Sequence, residues 1–251
     1  MFRIRSSRLR ITAAVAVAGV SCLTATACGG TTAASLSVAP SASSTPDPLA
    51  GLSASKVIAE ANADAQAAPT LTLDGNVNQQ GQNATIDISI KRGQGCKGSV
   101  ELGGQGSFKL IMIGQLVYLN ADDQFWKANA GANASAVIAY LKGRYLEAPA
   151  SDKNVASLAE ICDASKLLDP GNETFTKGTV TTLDGRRVLA IKVSDGSTDY
   201  VTDTSKPEYV EAIAPKGTKG GSGKATVTLG APVTLAAPPA SQVIDGTTLG
   251  M

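Results

Sequence analysis

The chain has 251 residues, enough for one large or two small domains, and its 22 basic and 21 acidic residues leave a formal charge of +1. It contains no histidine. That absence removes the commonest general base and metal ligand, and with them Ser-His-Asp or Cys-His chemistry within the chain.

The N-terminus carries the most specific pattern. Arg3, Arg5, Arg8 and Arg10 form a positive n-region, and Ile11–Val20 is an apolar h-region too short to remain as a membrane span. Leu23-Thr24-Ala25-Thr26-Ala27-Cys28-Gly29-Gly30 follows. Small residues before a cysteine, then glycine, resemble the lipobox of bacterial lipoproteins. In that family the cysteine becomes the new N-terminus and carries diacylglycerol on its sulfur. Ala25 stands where that pattern usually has leucine. Cys22 is a weaker competitor, because Val20 sits close to its cut. Ordinary secretion with cleavage after Ala27 is the alternative.

Removing Met1–Ala27 takes away four arginines and no acid, leaving 18 basic against 21 acidic residues. A weakly acidic mature chain has no electrostatic case for nucleic acid. The two acyl chains of a diacylglyceryl-Cys28 would hold the protein on a membrane, where one chain would not. Thr31–Pro48 is Ser, Thr, Ala and Pro with one charge, Asp47, a linker composition. About 20 such residues span roughly 25 Å. The expected organisation is a signal peptide over 1–27, a lipid-anchored linker over 28–50, a folded domain over 51–245 and a tail over 246–251.

Leu52–Ala68 reads as a helix, with Leu52, Val57, Ile58, Ala61 and Ala65 near helical spacing, Ser53 as N-cap and Pro69 as stop. Thr70–Val77 is a strand. In Thr85–Arg92, Ile86, Ile88 and Ile90 alternate with Asp87, Ser89 and Lys91, the pattern of a strand with one buried face. Ser99–Leu102, Phe108–Ile113 and Leu116–Asn120 follow, joined by Gly-containing turns, which predicts an antiparallel meander. It is expected to close at Phe125-Trp126-Lys127.

The period then changes. Ala132–Leu141 and Asn154–Leu168 have helical spacing, with Val155, Leu158, Ala159 and Cys162 at i, i+3, i+4 and i+7. Asp169-Pro170-Gly171 ends the block. Phe175–Thr182 and Arg186–Ser194 form a hairpin about Asp184-Gly185. Thr198–Asp203, Glu208–Ala214 and Lys224–Leu229 are further strands, and Ala231–Met251 is expected to be extended. One core accounts for this order. The expected class is α+β, a single curved antiparallel β-sheet (half-barrel) wrapped over an inserted helical block.

This arrangement is similar to actinobacterial lipoproteins of the LppX/LprG type, whose relatives in fold are the LolA/LolB carriers. The residues that carry the resemblance are Gly106-Ser107-Phe108, Ile113-Gly114-Gln115-Leu116-Val117-Tyr118-Leu119 and Phe125-Trp126-Lys127, within roughly Leu52–Val243. The resemblance implies an apolar cavity that holds lipid or lipoprotein acyl chains, on a carrier and not an enzyme. It transfers no ligand contact residue by residue.

Cys96 and Cys162 are the cysteines left in the domain, and an exported pair without CxxC or histidine reads as a disulfide. Glu160, Asp163, Asp122 and Asp123 read as solvated or turn carboxylates rather than acid/base pairs. Ser165 and Lys166 are adjacent on a helix and point apart. The candidate cavity is lined by Phe108, Leu110, Met112 and Tyr118 on the sheet side. Val137, Leu141, Val155 and Leu158 line its helix side. A one-residue slip would exchange the sheet set for Lys109, Ile111, Ile113 and Val117. No cofactor or metal is expected, and the chain is expected to be a monomer on the outer face of an actinobacterial cell membrane. The competing function is an anchored interaction module whose core is filled.

Overall fold

A computed structural model describes residues 47–79, 82–169, 171–214 and 222–246. Cys28, the signal segment 1–27, the linker up to Pro46 and the tail beyond Gly246 lie outside the described residues.

The fold is α+β, built on one open sheet. In chain order the elements are α1 (Ala54–Ala67), β1 (Thr70–Gln79), β2 (Gln82–Lys91), β3 (Gly95–Leu102), β4 (Gly106–Ile113) and β5 (Leu116–Ala121). Then come α2 (Asp123–Asn129), α3 (Ala134–Leu141), β6 (Tyr145–Pro149), α4 (Ala156–Ala159) and α5 (Ala164–Leu167). The last strands are β7 (Phe175–Leu183), β8 (Arg186–Val193), β9 (Thr198–Thr202), β10 (Tyr209–Ala214), β11 (Ser222–Leu229) and β12 (Val243–Asp245). The spatial order is β12-β6-β5-β4-β3-β2-β1-β11-β10-β9-β8-β7. The two ends of the sheet do not pair with each other, so the curved sheet is a half-barrel and not a closed one. All pairs are antiparallel except β12 with β6. The chain after β11 returns to the far edge of the first meander, and this makes the last pair parallel.

The alternation read in the sequence sets the sheet's faces. Register places Leu71, Ile90, Cys96, Met112 and Val117 in one row across β1–β5. Leu73, Ile88, Gly98, Leu110 and Leu119 make the next row. These rows form the inner face. Thr72, Asp87, Ser89 and Lys97 have the opposite parity and lie on the outer face, where Thr72 and Ser89 share a hydroxyl hydrogen bond of 3.1 Å.

Helices cover the inner face in three places. α1 begins at Ser53, whose hydroxyl accepts from the Lys56 N–H at 3.2 Å, as an N-cap should. Its Val57, Ile58 and Ala61 pack on Leu189, Ile191 and Val201 of β8 and β9. The segment 155–168 covers the meander, packing Val155 and Leu158 against β2–β5. The third piece is α2 and α3, with Phe125 in the meander's cluster and Val137 and Leu141 against Leu146 and Ile244, so one piece of the cover precedes the sheet and two are inserted in it. Leu49 belongs to the α1 core and has no exposed surface, so the packed chain starts before the linker boundary set at residue 50. The Lys177 ammonium donates to its carbonyl.

Three further departures have local causes. Phe125-Trp126-Lys127 is not strand. Asp122 accepts from the Phe125 N–H at 2.7 Å and starts α2 there. Tyr145–Pro149 is a strand, too short to show a period. Asn154–Leu168 is not one helix but α4, a 3-10 turn and α5, because Asp163 is extended and caps a new start through the Ser165 N–H.

Candidate functional site

Cys96 and Cys162 are joined, with Cα atoms 5.4 Å apart and a sequence separation of 66. The bridge ties β3 to the 3-10 turn after α4. It fixes the inserted segment over one end of the inner face, the end where the row Leu71–Ile90–Cys96–Met112 lies.

Beside this bridge is a hollow of about 540 Å³, open to solvent. Its apolar wall includes Leu71, Ile90, Met112, Ala159 and Cys162. Its mouth carries Arg92, Gln94, Gln115 and Asp163. The end of α1, through Gln66 and Ala68, forms a further side. Arg92 fixes that side by donating from Nε to the Ala68 carbonyl at 3.0 Å and from Nη2 to the Ala65 carbonyl at 3.3 Å. These carbonyls end the helix and have no partner within it.

The eight candidate side chains fall in different places. Met112 is the one that lines this hollow. Leu110 lies one row deeper and has no exposed surface, as do Ile88, Val117 and Cys96. Phe108, Leu110, Val155 and Leu158 belong to one packed cluster, so the centre of the inner face is filled. Val137 and Leu141 are elsewhere, in a smaller cluster with Leu146 and Ile244 over the β6–β12 edge.

Tyr118 is a correction. It pairs with Ile111 and lies on the outer face, while Val117, Leu119 and Ala121 share the face of Phe108, Leu110 and Met112. The Gly114–Gln115 turn has two residues, so Ile113 pairs with Leu116 and even positions on β4 oppose odd positions on β5. Continuing the even numbers across that turn carries the set to the wrong face. Gly114 takes the φ of +59° that such a turn needs. On the outer face burial, with the Glu147 carboxylate beside it, pushes the Tyr118 hydroxyl above its usual range.

The carboxylates have structural partners. Asp122 accepts from Phe125 and, at 2.8 Å each, from the N–H and hydroxyl of Ser107. Burial pushes its carboxyl up, but these hydrogen bonds outweigh it and hold the group below the usual range. Glu160 pairs with Lys166 at 2.7 Å, and the Ser165 hydroxyl donates to Asp163 at 2.6 Å. Ser165 and Lys166 therefore serve separate carboxylates and form no dyad.

Leu71, Ile90 and Ala159 are additions to the residues expected at the site. The disulfide could have pointed to them. Cys96 stands between Ile90 and Met112 in register, so a bridge from Cys96 to the inserted block marks that end of the face.

In architecture the chain resembles LprF from Mycobacterium bovis. The two are 12% identical over 74% of this chain and 96% of that chain, with a TM-score of 0.44. An uncharacterized conserved protein from Thermus thermophilus is 9% identical over 76% of this chain and 98% of its own, with a TM-score of 0.38. MucB, in the MucA/MucB complex of Pseudomonas aeruginosa, is 12% identical over 75% of this chain and 59% of its own, with a TM-score of 0.33. These likenesses concern fold alone. No family model and no curated protein sequence matches the chain.

Proposed function

We propose that this chain is a membrane-anchored extracytoplasmic lipoprotein that takes an acyl chain of an amphiphile into the hollow at Met112. The supporting observation is that hollow itself. It has about 540 Å³ of open space against Leu71, Ile90, Met112 and Cys162. That volume is within the roughly 300–1,000 Å³ usual for small-molecule sites. Met112 is unbranched and polarizable, suited to chains of differing shape. The anchor would be a diacylglyceryl group on Cys28, after removal of residues 1–27, with residues 28–46 as tether. No catalytic step, metal or cofactor enters this account, and the acting species is a monomer.

A second reading has its own support. Ile88 and Leu110 have no exposed surface, so the centre of the inner face offers no room for a chain. On that reading the protein is an anchored interaction module, and the hollow is part of a contact surface.

Native mass spectrometry of protein extracted from its own membrane separates the two. The lipid reading predicts a diacylated N-terminal Cys28 and a second, non-covalent lipid mass. A chain carrying its anchor but no bound lipid would favour the interaction module.

A further inference from the structure

The mouth of the hollow carries a cation with donors to spare. Arg92, the residue after β2, lines it and forms no ion pair among the described residues. Arg92 spends Nε and one Nη2 hydrogen on the two α1 carbonyls. A guanidinium has five N–H donors, so the Nη1 pair and the other Nη2 hydrogen stay available. The opposing acid at the mouth is Asp163, whose carboxylate accepts from the Ser165 N–H at 3.0 Å and hydroxyl at 2.6 Å. Other nearby charge is compensated, since Lys166 is paired with Glu160. Arg92 therefore offers unspent N–H donors at the rim of an apolar hollow.

A guanidinium held by hydrogen bonds at a fixed place suits a phosphate or carboxylate, which it can bind through two parallel N–H donors. We infer that the hollow selects an anionic amphiphile, its acyl chain against Leu71, Ile90 and Met112 and its phosphate or carboxylate headgroup at Arg92. This rests on the acyl-chain reading above and names the headgroup class for that site.

The test is calorimetric titration of the folded protein with amphiphiles of one twelve-carbon chain, each below its micelle concentration. Dodecyl phosphate and dodecanoate carry the anionic headgroup. Dodecyl maltoside is neutral, dodecyltrimethylammonium is cationic, and inorganic phosphate is the headgroup without a chain. The inference expects both anions to bind about five-fold more tightly than the maltoside, an effect of the size seen for exposed ion pairs, and to weaken with salt. Inorganic phosphate should bind far more weakly than dodecyl phosphate. Arg92→Lys keeps charge at the end of α1 but loses the paired donors, and should reduce the preference for the anions over the maltoside. Equal affinity for all four amphiphiles would overturn the headgroup inference and leave the acyl-chain reading standing. Inorganic phosphate binding as tightly as dodecyl phosphate would overturn the chain's part in recognition. No binding of any amphiphile would overturn the acyl-chain reading itself.

Discussion

Ile88 fills the space in front of Gly98. The two residues face each other across β2 and β3, and a Cβ on Gly98 would lie 2.6 Å from the Ile88 Cδ1 and 2.1 Å from the Asp87 carbonyl oxygen. The centre of the inner face thus depends on a missing side chain. Gly98→Val should destabilise the protein by about 1–3 kcal/mol, read as a lower urea midpoint at constant slope. An unchanged midpoint would mean that the centre has room.

The disulfide should stabilise both fold and site. With a sequence separation of 66, its loop lies where bridges contribute about 3–5 kcal/mol in the chain-entropy view. Replacing Cys96 and Cys162 by alanine should lower stability by about that amount and free the wall that carries Ala159 and Cys162. Peptide mapping without reductant checks the pairing. Two alkylatable thiols in the folded wild type would contradict it.

Asp122 should matter as a cap. Asp122→Ala removes the acceptor of the Phe125 and Ser107 N–H groups and should cost about 1–2 kcal/mol. Because its carboxyl is held below the usual range, its contribution is present above an unfolded value near 3.8 and lost as pH falls through the folded value. Denaturation at pH 7 and pH 2.5 checks the sign. A cost that is the same at both would show that charge plays no part.

Asp199 should act in the opposite sense. Burial first, then the charge of Asp195, pushes its carboxyl up to about 6 from 3.8. The folded state therefore holds its proton more tightly than the unfolded one. Stability is fully present below about pH 4, falls as pH rises toward 6, and is flat above. Asp199→Asn should remove that loss and stabilise the protein at pH 7 by about 2 kcal/mol. Wild type and variant with parallel pH profiles would contradict this.

The strands and their faces are legible in the sequence because alternation is a local property. Ile86, Ile88 and Ile90 mark β2, and the same rule places Phe108, Leu110 and Met112 on one face. Alternation misplaces Tyr118 because its face depends on the length of one turn, which hydrophobic pattern alone does not fix. The break in the helix at Asp163 is hidden for a related reason. Val155, Leu158 and Cys162 keep helical spacing, but a capping carboxylate restarts the chain between them and Leu167. The hollow is not legible as a place. It arises where the end of α1, held by Arg92, and the segment held by Cys162 stop short of meeting over Met112. That gap belongs to the packing of three distant stretches and to no one of them. The packed state of Leu110 is likewise a result of long-range packing, since Val155 and Leu158 come from a segment some 45 residues further along the chain.

The claim that the open end at Met112, and not the packed centre, receives an acyl chain is tested most directly by two tryptophan substitutions. Melting temperature and dodecanoate affinity would be measured for Met112→Trp, Leu110→Trp and the wild type. Met112→Trp fills the hollow, so affinity should be lost at an unchanged melting temperature. Leu110→Trp overpacks a filled site and should cost about 1–3 kcal/mol of stability, with binding retained wherever the protein is folded. Binding abolished by Leu110→Trp at an unchanged melting temperature, and untouched by Met112→Trp, would contradict the account.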